Sequence, residues 1–171
     1  MSLFERNKNI KADLIDKGLL RFEVSMLDNV HNITAIFHVT FPSREIKHAE
    51  VDFKRAPYVD VCSLVSKRIE HVIGLKIGKG FNNKVIETLG GKDGCHHLID
   101  LTIEMAKGLS QFINRSKNFI INDYIDDASV IREKVYEVYP DAKNMCWAYN
   151  TDNDHLYSKK IKCGLRDELA I

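Results

Sequence analysis

Three stretches of alternating apolar and polar residues constrain this chain more than anything else in it. Leu20, Phe22, Val24 and Met26 alternate with Arg21, Glu23 and Ser25. Ile33, Ala35, Phe37, Val39 and Phe41 alternate with Asn32, Thr34, His38 and Thr40, with Ile36 breaking the polar set. Ala49, Val51 and Phe53 alternate with Glu50, Asp52 and Lys54. Period two means that one face of each strand is buried and the other solvated. Asp28-Asn29 and Pro42-Ser43 supply turn chemistry between the stretches. The expected result is a three-stranded antiparallel meander with one face to be covered.

The cover follows in the chain. A helix is expected from about Ser63 to Ile73, with Val65, Ile69 and Val72 as its stripe and Gly74 just past its end. A short helix spans roughly Asn83 to Leu89 and stops at Gly90-Gly91. The longest runs from about Cys95 to Ile113, with Asp93 as its cap and Leu98, Thr102, Met105, Leu109 and Phe112 on one stripe. Gly108 interrupts it at a cost of about 1 kcal/mol relative to Ala. Helices on one face of a meander make a two-layer α+β domain. The segment before about Lys17 reads as polar and charged, with helical character from Ile10 to Ile15. The domain is expected to cover residues 1–114, with 115–171 as a C-terminal helical extension packed on it. In that extension Asp126 or Asp127 caps a helix through Tyr139, with Ile131, Val135 and Val138 facing inward. Met145 to Asn150 reads as a short strand, and Lys159 to Ile171 as a charged, loosely held end.

Composition narrows the function. With 25 basic and 24 acidic residues in 171, the formal charge is +1. No basic stripe with interleaved aromatics appears, so nucleic-acid binding is disfavoured. No apolar run is long enough to cross a bilayer, and the N-terminus lacks the apolar stretch of a signal peptide. No membrane association and a cytoplasmic location are therefore expected. Four cysteines in a chain with a core of this size read as thiols or ligands rather than as a disulfide framework.

The chemistry concentrates in Gly90-Gly91-Lys92-Asp93-Gly94-Cys95-His96-His97-Leu98. A thiol in the first turn of a long helix sits where unpaired N–H groups favour an anion. The plain alternative is a small buried thiol that closes a turn. If Cys95 and His97 were both helical they would point about 200° apart. They share a site only if Cys95 lies just outside the helix. His96 reads as solvent-facing. Cys62 follows the third strand, and Asp28 and His31 bracket the first hairpin turn, at the same end of the meander. Cys62, Cys95 and His97, completed by Asp28 or His31, would form a four-ligand set. The plain alternatives are a core cysteine at 62, a turn aspartate and a surface histidine. Cys146 lies in an apolar patch, Met145 to Tyr149, and Cys163 stands alone in a basic tail. No phosphate loop and no G-x-S-x-G elbow is present.

Two resemblances rest on these residues. Leu27-Asp28-Asn29-Val30-His31, Arg55-Ala56-Pro57-Tyr58, Cys62, Gly74 to Phe81 and Leu89 to Leu98 resemble the bacterial domain of unknown function 2889 family, which carries a G-C-x-H-L signature. The resemblance covers about Asp28 to Gln111, with Cys146-Trp147-Ala148 as a further match. It implies that Cys95 and His97 are the matched positions and that His96 is replaceable, since threonine is expected there. It implies no known activity. The order of three strands, a strand-end cysteine, helices and a cysteine–histidine pair is also similar to the U-type iron–sulfur cluster scaffold proteins. That resemblance sets Asp28, Cys62 and Cys95 with a histidine against the scaffold ligands. It departs at Met26, which stands where the scaffold has its first cysteine, and in the order of the cysteine–histidine pair.

The resulting expectation is a metal-binding or iron–sulfur-associated accessory protein. Zinc or an iron–sulfur cluster would be held by Cys62, Cys95, His97 and Asp28 or His31, because two thiolates and an imidazole suit these over magnesium or calcium. A protein partner in metal or sulfur transfer is expected with it. Whether the protein is an enzyme is left open. The alternatives are a thiol enzyme with Cys95 as nucleophile and His97 as base, and a non-catalytic interaction module.

Overall fold

A computed structural model describes residues 3–118, 128–138 and 140–158. The chain divides into two compact units, Met1–Ser110 and Gln111–Ile171. The first is built on an antiparallel sheet of four strands in the order β1-β2-β3-β4: β1 Arg6–Asp16, β2 Leu19–Asp28, β3 Asn32–Thr40 and β4 Ile46–Arg55. The last three are the strands that the alternation predicts. Their inward residues, among them Phe22, Met26, Ile33, Phe37 and Ile46, are wholly buried, as one covered face requires.

The sheet has four strands, not three, and the segment expected to show helical character is β1. It is an edge strand, so most of its residues face water even while its backbone pairs with β2. Ile10 lies opposite Val24, Ala12 opposite Phe22 and Leu14 opposite Leu20, so these three share the covered face. Lys11 and Asp13 keep the alternation for only five residues; the polar run Arg6-Asn7-Lys8-Asn9 before it and Ile15 after it leave Ile10, Leu14 and Ile15 at a spacing that also fits a helix face. A bulge between Leu14 and Asp16 ends the regular pairing.

After β4 the chain makes one helical turn, α1 (Val59–Cys62), and tightens into a 3₁₀ segment over Ser63–Val72 that packs on β4. Ile69 and Val72 of the expected stripe are buried. Helix α2 (Phe81–Leu89) buries Phe81, Val85 and Leu89. Helix α3 (His96–Asn118) is the long one, and it buries Leu98, Leu101, Thr102, Met105 and Leu109. Gly108 has a packing reason. A Cβ there would lie 3.0 Å from Ile10 and 3.8 Å from Phe22, so the missing side chain lets the helix approach the sheet closely.

In the second unit α4 (Ala128–Val138) buries Val135. The expected cap at Asp126 or Asp127, Tyr139, the inward faces of Ile131 and Val138, Cys163 and the end from Lys159 lie outside the described residues. Met145 to Asn150 is not a strand: Trp147–Tyr149 forms a 3₁₀ turn, closed by Tyr149 N–H donating to Cys146 O at 3.0 Å. The buried group that organises this unit is Arg132, only 6% exposed. It donates to Asp154 at 2.5 Å and to the carbonyl of Asn150 at 2.6 Å, and its guanidinium lies over the rings of Tyr136 and Tyr157.

Candidate functional site

Antiparallel pairing brings the start of β1, the end of β2, the start of β3 and the end of β4 to one end of the sheet. Asp28 occupies that end with a wholly buried side chain. Its Oδ2 accepts from both Arg6 Nε at 2.8 Å and Arg6 Nη2 at 2.7 Å, a charge-assisted pair across β1 and β2. It also accepts from the backbone N–H of Val30 at 2.8 Å and of His31 at 2.6 Å, and from His31 Nδ1 at 3.1 Å. Burial alone would raise the Asp28 pKa. The two backbone donors, Arg6 and His31 outweigh it and hold the carboxyl well below the usual carboxylate range. An ionised carboxylate only accepts, so the proton in the His31 contact sits on Nδ1 of the imidazole. Arg55, from the end of β4, donates to the Asp28 carbonyl at 2.5 Å.

The thiol side is built by the turn between α2 and α3. Gly94 is sterically obligatory: a Cβ there would lie 2.1 Å from the Leu89 carbonyl oxygen and 2.4 Å from that of Gly90. The turn closes when Cys95 N–H donates to Leu89 O at 2.9 Å. Helix α3 begins at His96, and the Cys95 carbonyl accepts from Ile99 N–H at 3.2 Å. Cys95, and not Asp93, thus holds the cap position. The condition for a shared Cys95 and His97 site is therefore met: the thiol lies outside the helix, and its Sγ is 3.8 Å from His97 Nδ1.

The two sides meet through the imidazoles. The rings of His31 and His97 have centroids 4.2 Å apart and are tilted by 50°. Burial lowers the His97 pKa below its ordinary value, and the neighbouring His31 and Arg6 push the same way against weaker pulls from Asp28 and Asp100. A neutral imidazole at neutral pH follows. Beside it an open hollow of about 330 Å³ is lined by Arg6, His96, His97, Ile99, Asp100 and Ile103. Asp100 is held by Lys8 at 2.5 Å.

Of the five residues singled out from sequence, Asp28, His31, His97 and Cys95 form one chain of contacts. Cys62 ends α1, half-buried, with no side-chain contact to the other four among the described residues. Nor do any three histidine, cysteine or acidic side chains among the described residues form a group that could hold a metal ion. The donor set shows why: the Asp28 oxygens and His31 Nδ1 are already committed to one another and to Arg6. His96 is exposed, as expected. Arg6 was hidden from sequence reasoning because its strand was; the period-two signal of Ile10, Ala12 and Leu14 would have placed it.

No curated protein matches the chain, and no solved structure matches it. The similarity to iron–sulfur scaffold proteins is therefore not supported, and the fourth strand departs from the three expected on that pattern. The family model described as "protein of unknown function (DUF2889)" matches residues 5–111, a stretch that includes β1 and every member of the Asp28 to Cys95 contact chain. That is more than half of the 171 residues, and the chain belongs to this family of proteins of unknown function.

Proposed function

We propose that the end of the sheet is a thiol site, with Cys95 as nucleophile and His97 as the base that takes its proton. The observation that carries this reading is the 3.8 Å contact between the half-buried Cys95 Sγ and Nδ1 of His97, the imidazole that also lines the open hollow. His97 is suited to the role because its environment keeps it neutral. Asp28 and His31 act as positioning residues: the carboxylate fixes the His31 ring, and that ring packs on His97. The chemistry that fits is acyl transfer from a thioester. The Cys95 thiolate attacks the carbonyl carbon and the new C–S bond replaces the old one. The departing thiolate takes the proton from His97, so no oxidant or reductant is needed.

The test is the rate of iodoacetamide alkylation of Cys95 at pH 7, followed by mass spectrometry with Cys62 and Cys146 as internal references. His97→Gln is expected to slow Cys95 by about tenfold or more, the scale of a lost general base, and to leave the references unchanged. Equal rates in the two proteins would sink the proposal. Metal analysis after anaerobic purification separates the other reading. Stoichiometric zinc or iron that is lost in Cys95→Ala would replace thiol catalysis with metal binding at this end of the sheet.

A further inference from the structure

Among the described residues no strand pairs with the outer edge of β1. By contrast, the outer edge of β4 is partly occupied: Gly74 N–H donates to Ile46 O at 2.8 Å and Ile46 N–H to Leu75 O at 3.0 Å. β1 is eleven residues long, about twice the usual strand. A long open edge presents a row of backbone donors and acceptors to another chain. The side chains on it are also odd for a strand that ends in solvent, because Leu14 is 69% and Ile15 44% exposed.

The last five residues of the regular pairing in β1 read Ile10-Lys11-Ala12-Asp13-Leu14, and they are complementary to themselves when reversed. In an antiparallel pair centred on Ala12, Lys11 lies opposite Asp13 of the second copy, and Asp13 opposite its Lys11. Ile10 lies opposite Leu14, and Leu14 opposite Ile10. Residues directly opposite share a face, so both apolar pairs fall on the face of the sheet that carries the core; there Ile10 lies near Gly108 of α3, and Leu14 is the exposed member. Both ion pairs fall on the other face. Moving the centre by one residue destroys this. Centring on Lys11 sets that lysine against itself, and centring on Asp13 sets aspartate against aspartate. Lysines on an edge normally repel a second strand; here each meets a carboxylate. The bulge after Leu14 stops the pairing where the complementarity stops.

We infer that β1 is a dimerisation strand, joining two copies of this chain edge to edge through Ile10–Leu14 into one continuous eight-stranded sheet with a two-fold axis at Ala12. A two-fold interface of this kind uses the same patch on both copies.

Sedimentation velocity on the full chain tests it. The wild type is expected to dimerise, and Lys11→Asp or Asp13→Lys, each placing two like-charge pairs across the axis, to weaken the dimer about tenfold or more. Lys11 and Asp13 pair with each other at 3.2 Å in the single chain, with 63% and 41% of their side chains exposed; losing so exposed a pair costs little, so both variants are expected to keep their circular dichroism. An equimolar mixture of the two single variants restores opposite charges and is expected to form a mixed dimer. The double variant K11D/D13K is expected to dimerise as the wild type does. A wild type that stays monomeric at high micromolar concentration overturns the inference. So does a dimer indifferent to both single variants, or a mixture that does not associate.

Discussion

Among the described residues each unit buries one charged side chain, and the two are buried in different ways. Asp28 is enclosed at the end of an apolar sheet and has donors for each oxygen: the Arg6 guanidinium on Oδ2, two backbone N–H groups on Oδ1, and the His31 imidazole. Arg132 is nearly as buried, but its ion-pair partner Asp154 is 63% exposed, and among the described residues its Nε meets no acceptor. Aromatic faces fill the remaining space around it. In the first unit the apolar core exists without the charge, and the charge adds position. In the second, the described core holds little beyond Val135 and Ala142, and the cation with its tyrosines stands in for one. A buried charge specifies geometry when its partners are rigid, and serves as filling when they are not.

That contrast can be broken at Asp28 first. Asp28→Ala leaves Arg6 and two backbone donors uncompensated and is expected to destabilise the first unit by roughly 3–5 kcal/mol, measured by urea unfolding with far-ultraviolet circular dichroism. The same group sets an acid limit. Its folded pKa lies below the unfolded one, so its stabilisation is complete above the ordinary Asp value of about 3.9 and is lost as pH falls below it. Asp28→Ala should flatten that decline. Next is Gly94→Ala, whose Cβ would collide with two carbonyl oxygens; a loss of about 3 kcal/mol is expected by the same assay. A neutral result there would show that the thiol side lacks the rigidity of the carboxylate side.

Arg132→Met should change stability by under about 1 kcal/mol in either direction, because an aliphatic chain fills the space and Asp154 is already in water. The protein's one tryptophan, Trp147, lies in the second unit, so its fluorescence reports this variant. A loss as large as that of Asp28→Ala would erase the distinction between the two charges. The smallest effect belongs to His97. Its pKa is lowered on folding, so its contribution is present above the unfolded value of about 6.5 and is lost as pH falls through the folded one. The slope of stability against pH just below neutrality should shrink in His97→Gln, as read from melting temperature over that range.

Where side chains alternate sharply, the sequence announces the structure. Leu20 to Phe53 reads as strands because the inward positions are apolar and the outward ones mostly polar. The same rule reaches only Ile10 to Leu14 of β1, because four polar residues precede them and Ile15 follows, and the spacing of Ile10, Leu14 and Ile15 fits a helix face as well. Losing β1 meant losing Arg6, which pairs with Asp28 over a separation of 22 residues that no local pattern reports. The link between Cys95 and His97 was legible as a condition on where the helix starts, and the Gly94 turn meets that condition. Topology puts the end of β4 beside Asp28, and Cys62 follows seven residues later, but topology brings a residue only to a neighbourhood. A helical turn and the 3₁₀ segment after it then decide which way the thiol goes.

The hub at Asp28 also works as a proofreader of strand alignment. It is tied to β1 through Arg6 and to β4 through Arg55, so it senses both outer strands at once. Arg6 is flanked by Glu5 and Asn7. If β1 slipped by one residue, the guanidinium opposite Asp28 would be replaced by a carboxylate or an amide, and every inward side chain of the strand would turn to the wrong face. A misaligned sheet therefore carries a buried carboxylate that has lost its guanidinium and is held only by the donors of its own turn. The charge at this end of the sheet is balanced only in chains whose sheet has already been joined correctly.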